Sequence, residues 1–91
     1  MKINKYLKLS INWDGKEHEL TLNASDFDHT VPRERFWVYF DIGNDHFWFE
    51  DTLDDCDCPI IELPGVWRAV DEGHDEYYTI ESGLFSIIEV A

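Results

Sequence analysis

Leu7, Leu9, Ile11 and Trp13 alternate with Lys8, Ser10 and Asn12, the two-residue period of a strand that buries one face and wets the other. Asp14-Gly15 follows, a pair suited to a tight hairpin turn because both central positions need φ > 0. The chain returns through Glu17 to Leu22, with Leu20 and Leu22 on the inward parity and His18 near the edge of that face. Residues 3–22 are therefore expected to form a β-hairpin. From 23 to 35 no period is sustained. Ser25 and Asp26 are capping types and Pro32 biases Val31 away from helix, so this stretch reads as a connecting loop with room for one short turn.

Phe36 to Ile42 is the most strand-like run. Phe36, Val38, Phe40 and Ile42 share one parity, and Trp37, Tyr39 and Asp41 share the other. Gly43-Asn44-Asp45 supplies a turn, and His46 to Asp51 is expected to pair back. This second hairpin is aromatic on both faces, so it is either covered on both sides or shows an apolar patch to solvent. Thr52 to Pro59 reads as an acidic loop, and Ile60 to Leu63 as a short strand ended by the turn pair Pro64-Gly65. Val66–Val70 and Tyr77–Glu81 read as strands flanking a tip at 71–76. Ser82-Gly83 then turns the chain into a closing strand, Leu84–Val90. Short strands at this spacing predict a mainly β protein, an antiparallel sandwich or partly open barrel of six to seven strands. A helix within 23–35 or 66–76 would make it α+β. Ninety-one residues are enough for one domain.

Charge changes this picture. Residues 1–35 carry six bases and six acids, whereas residues 36–91 carry fourteen carboxylates and a single base, Arg68, for a net charge of −13. The acidic block also holds most of the aromatics, and the chain is 44% hydrophobic, so it is not the composition of a disordered tail. A folded surface with this imbalance repels itself and exceeds the ~2–8 charges that suffice for solubility. A strongly basic partner would relieve it. No apolar run approaches the roughly 20 residues of a membrane helix, and Met1–Lys8 lacks the apolar core of a signal peptide. A soluble, intracellular protein is expected, with no affinity for anionic lipid or nucleic acid.

Site chemistry is sparse. Cys56 and Cys58 are too few and too close for a disulfide framework, and reduced thiols are expected. The Asp51–Cys58 run lacks the turn glycine of a calcium loop, because Cys56 stands at the sixth position, and Cys-x-Cys is not the usual zinc spacing. A Cys–His pair could be drawn from Cys56 or Cys58 with His46 or His74, but Asp54, Asp55 and Asp57 around the thiols disfavour thiolate. No glycine-rich phosphate loop is present. The reading is non-catalytic, with no cofactor and no metal.

The remaining candidates form an interaction surface. Same-face residues on a strand stand about 6.5–7 Å apart, and DNA phosphates recur at about 3.4 Å of axis per strand. Rows of carboxylates can therefore present charge to Lys and Arg much as a phosphate ladder does. Two acidic patches compete for this role: Asp51, Asp54, Asp55 and Asp57 in the loop, and Asp71, Glu72, Asp75 and Glu76 at the tip. Trp37, Tyr39, Trp48 and Trp67 would provide rigid anchors.

In size, and in the charge of residues 36–91, the chain resembles the small acidic phage-encoded inhibitors of bacterial defence, the anti-CRISPR and anti-restriction proteins, several of which mimic DNA. The resemblance rests on no motif and carries over no residue. It implies a stoichiometric inhibitor in the cytoplasm of a bacterial host, bound to the basic nucleic-acid-binding surface of a defence nuclease complex. The alternative is an acidic immunity protein that neutralises a cationic toxin by charge complementarity. A third reading is an interaction domain whose acidity is incidental. A homodimer is left open.

Overall fold

The computed structural model describes residues 1–29, 34–70, 77–80 and 84–91, the side chains of 77–80 excepted. Its strands are β1 (Tyr6–Trp13), β2 (Lys16–Asn23), β3 (Asp28–His29), β4 (Arg35–Ile42), β5 (Asp45–Leu53), β6 (Pro59–Ala69), β7 (Tyr77–Ile80) and β8 (Phe85–Val90). They form two antiparallel sheets, of order β2-β1-β8 and β3-β4-β5-β6-β7. The protein is mainly β, an open antiparallel sandwich. Among the described residues there is no α-helix, and a 3-10 turn stands at Ala24–Asp26. None of them forms a helix long and apolar enough to cross a membrane.

The alternating pattern builds the core. Leu7, Leu9 and Ile11 of β1 are fully buried, with Leu22 of β2 beside them. They share one apolar cluster with Phe36, Val38, Phe40, Phe47, Phe49 and Val66 of the large sheet. Each such side chain contributes on the order of 1.5–3 kcal/mol by leaving water. Both expected hairpins form; the first turn carries the left-handed backbone expected of Asp14-Gly15, at φ 54° and 75°, and in the second Gly43 takes φ 60°. At that end of the sandwich Trp13 ties the sheets together. Its Nε1 donates to Asp45 Oδ2 at 3.0 Å, and its ring meets Phe47 edge-on at 5.2 Å.

Four features differ from the sequence reading. The first hairpin pairs only from Tyr6↔Asn23 inward. Residues 1–3 run instead beside β6, with Ile61 N–H donating to Met1 O at 2.6 Å and Ile3 N–H to Pro59 O at 2.8 Å. The 23–35 connection contains the 3-10 turn and the two-residue β3, which pairs Asp28 with Trp37 and His29 with Phe36. β5 runs on through Leu53, so the acidic loop is shorter than expected.

The largest difference is at Pro64-Gly65, which ends no strand. β6 passes through it, and between the pairs Glu50↔Gly65 and Thr52↔Ile60 one residue of β5, Asp51, faces four of β6. Asp51 makes this irregularity possible. It continues the inward parity of Phe47 and Phe49 and is fully buried. Its Oδ1 accepts the Thr52 and Leu63 N–H groups, each at 2.8 Å, and its Oδ2 accepts the Glu62 N–H at 3.1 Å. A side chain thus replaces the ladder bonds that the extra residues cannot make.

Candidate interaction face

Cross-strand partners share a face, so the register determines which side chains the large sheet turns away from the core. Tyr39 pairs with Trp48 and Trp48 with Trp67, while Trp37 lies one step along on β4, opposite Glu50. The rings make a continuous row: Trp37 to Tyr39 at 6.5 Å, Tyr39 to Trp48 at 6.2 Å, and Trp48 to Trp67 at 6.2 Å with planes within 8° of parallel. Tyr39 is 54% exposed, and the three Trp residues are half-buried. Gly65 is part of the row's construction. A Cβ there would stand 3.3 Å from Trp67 Nε1 and 3.9 Å from its Cε2, so the bare backbone lets the indole settle against the sheet.

Carboxylates surround the row. Asp28 is opposite Trp37, Asp41 follows Tyr39 on the same parity, and Glu50 lies between Trp37 and Gly65. Arg35 Nε meets Glu50 Oε1 at 2.7 Å, and His46 Nδ1 lies 2.6 Å from Asp41 Oδ1. Glu62 reaches the same side, accepting from Thr52 Oγ1 at 3.3 Å. The outer face of the small sheet is of a different kind. It carries Lys8, Ser10, Glu17, Glu19 and Glu89, with Ser10 Oγ donating to Glu17 at 2.8 Å and Lys8 Nζ 3.7 Å from Glu19. One face of the sandwich is thus mainly polar and the other is aromatic.

Arg68, the lone base of the acidic block, does not reach this face. It shares the inward parity of Phe47, its guanidinium lies 5.2 Å from the Trp13 ring centroid, and its Nε is 3.6 Å from Asp45 Oδ1. The imbalance read along the chain is partly evened in space, however. β1 brings Lys8 opposite Glu89, and residues 1–3 bring Lys2 beside β6.

The acidic patches fare unequally. Asp51 leaves the surface row altogether, because its carboxylate is buried and occupied by three backbone N–H groups. Asp54 folds its own loop: Oδ1 accepts Cys56 N–H at 2.8 Å and Cys58 N–H at 2.9 Å. Those two bonds hold its carboxyl below the ordinary value of 3.8, with the Lys2 charge a smaller contributor. Asp55 and Asp57 are exposed, and Asp57 takes φ 61° to close the turn. Asp71, Glu72, Asp75 and Glu76, like His74, Glu81, Pro32 and the Ser82-Gly83 turn, lie outside the described residues. The four aromatic candidates, by contrast, are brought together.

Cys56 is exposed, Cys58 is half-buried, and both are free thiols. They sit beyond the far end of β5 from His46, about 20 Å away by strand rise, so a pair between these thiols and that imidazole does not assemble. Among the described residues no three His, Cys, Asp or Glu side chains gather as a metal site. Two open clefts, of about 450 and 320 Å³, lie over Ser10, Glu17 and Ser86 and between the turns at Asp14 and Asn44. Comparison with protein-family models, with curated proteins and with solved structures returns no match to this chain.

Proposed function

We propose that this protein is a non-catalytic inhibitor that occupies the basic, nucleic-acid-binding surface of a bacterial defence nuclease complex. The observation that carries the reading is the four-ring row on the outer face of the large sheet, rimmed by Asp28, Asp41, Glu50 and Glu62. Charge alone selects no face, since carboxylates also line the small sheet; charge combined with rigid rings does. Aromatic anchors at the centre and charged groups at the rim are the usual anatomy of a specific interface. A net charge of −13 favours a cationic target and speeds encounter with it.

The test expresses the protein in bacterial strains that each carry one defined CRISPR or restriction system and scores plating of a targeted phage. In at least one strain, plating is expected to recover to the level of the nuclease-free control. The purified protein should then displace DNA from that nuclease, with an effect that weakens steeply between about 50 and 500 mM salt. Full nuclease protection in every strain would overturn the reading. Rescue of cells from a cationic nuclease toxin instead would establish the immunity-protein alternative.

A further inference from the structure

We infer that the aromatic face of the large sheet is a receptor for arginine side chains, and that its occupant is an arginine-bearing segment of a basic protein. This rests on the proposed function and specifies the chemistry by which the partner is held. The protein contains the arrangement in its own body. Arg68 is seated with its guanidinium 5.2 Å from the Trp13 ring, its Nε 3.6 Å from Asp45, and the Trp13 N–H donating to that same carboxylate at 3.0 Å. The indole supplies the π face, the carboxylate supplies the counter-charge, and the ring N–H fixes the carboxylate in place.

The outer face repeats the ring-and-carboxylate pairing several times. On that face Arg35 is bound at 2.7 Å to Glu50, the carboxylate whose cross-strand partner is Trp37. Asp28 opposite Trp37 and Asp41 beside Tyr39 are further instances. Tyr39 is 54% exposed, and the Asp41 side chain, paired through Oδ1 with His46 at 2.6 Å, is 63% exposed, so each presents surface to solvent. Flat rings with peripheral carboxylates suit guanidinium better than ammonium, because guanidinium is planar, weakly hydrated and able to stack while it donates sideways. A second copy of the chain is disfavoured as the occupant, since each copy carries −13. Phosphate surfaces are excluded by the same sign of charge.

The experiment titrates the intact protein at about 150 mM salt with two peptides of equal length and charge, one of alternating Arg and Gly, the other of alternating Lys and Gly. Binding is followed by tryptophan fluorescence and by amide shifts in NMR. The Arg peptide should bind tighter by about two- to fivefold for each ring engaged, with shifts centred on β4 and β5. Tyr39→Ala should remove most of that preference, whereas Tyr39→Phe, which keeps the ring, should retain it. Equal affinity for the two peptides, or an Arg preference unaltered in folded Tyr39→Ala, would overturn the inference, as would concentration-dependent dimerisation abolished by Tyr39→Ala. The two proposals separate cleanly. Arg-selective binding without inhibition of any nuclease would leave the receptor standing and remove the inhibitor. Inhibition that persists at full potency in Tyr39→Ala would do the reverse.

Discussion

Replacing Asp51 by Ala removes the acceptor for the Thr52, Glu62 and Leu63 N–H groups, bound at 2.8, 3.1 and 2.8 Å. A hydrogen bond to a charged group contributes about 1.5–3 kcal/mol, and a neutral one about 1. Thr52 is only half-buried and counts near the lower end of the charged range, about 1.5 kcal/mol. Glu62 and Leu63 are exposed, so water can partly replace the carboxylate there, and each counts near 1. The expected loss is about 3–4 kcal/mol. A domain of this length has roughly 5–14 kcal/mol in total, and the melting temperature should fall by about 12–30 °C. Asp51→Asn keeps one oxygen for the Thr52 and Leu63 donors and opposes only the Glu62 N–H with an NH₂ group, so its loss should be about half as large. Urea unfolding followed by tryptophan fluorescence gives both values, and hydrogen exchange at Glu62 and Leu63 should accelerate most. If Asp51→Ala lies within about 0.5 kcal/mol of the parent, or is milder than Asp51→Asn, the carboxylate does not hold β6 to β5 and this account of the irregular strand is wrong.

Trp13→Phe deletes the 3.0 Å bond to Asp45 and weakens the ring beneath Arg68. A loss of about 1–2 kcal/mol is expected in urea unfolding, and no measurable change would place the inter-sheet tie elsewhere. Asp54 is held below 3.8 by the Cys58 and Cys56 N–H groups, so its stabilisation is complete above the unfolded carboxylate range and is lost as pH falls through the lower folded value. NMR titration should show the Cys56 and Cys58 amides shifting together with a midpoint below 3.8, and Asp54→Asn should abolish that transition. A midpoint at or above 3.8 would contradict the loop geometry.

Much of the fold could be read from local pattern because local pattern causes it. The 7/9/11/13 alternation and Asp14-Gly15 determine the first hairpin, and Phe36–Ile42 with Gly43 determines the second. Pro64-Gly65 misleads because its turn propensity is real but is overridden by a side chain far away in sequence. A readable sign of this was present: Asp51 falls on the buried parity of Phe47 and Phe49, where a carboxylate must be satisfied by donors. The same parity separates Asp51 from the exposed loop acids with which the sequence grouped it. Trp37, Tyr39 and Trp48 could be placed on one face from the hairpin alone. Trp67 joined them only through the β5–β6 register, which the irregularity at Asp51 shifts.

Two open sheets have consequences for how copies of this protein behave in company. β2 and β8 flank the small sheet, and strand borders of this kind invite further chains to add on. Here the safeguard is mutual electrostatic exclusion spread over the whole molecule, with Glu17 and Glu19 on β2 and Glu89 on β8 at the borders themselves. Acidification toward the sequence isoelectric point near 4.3 removes that exclusion, so light scattering is expected to rise there before tryptophan fluorescence reports unfolding, and the reverse order would show that the borders are guarded by something other than charge.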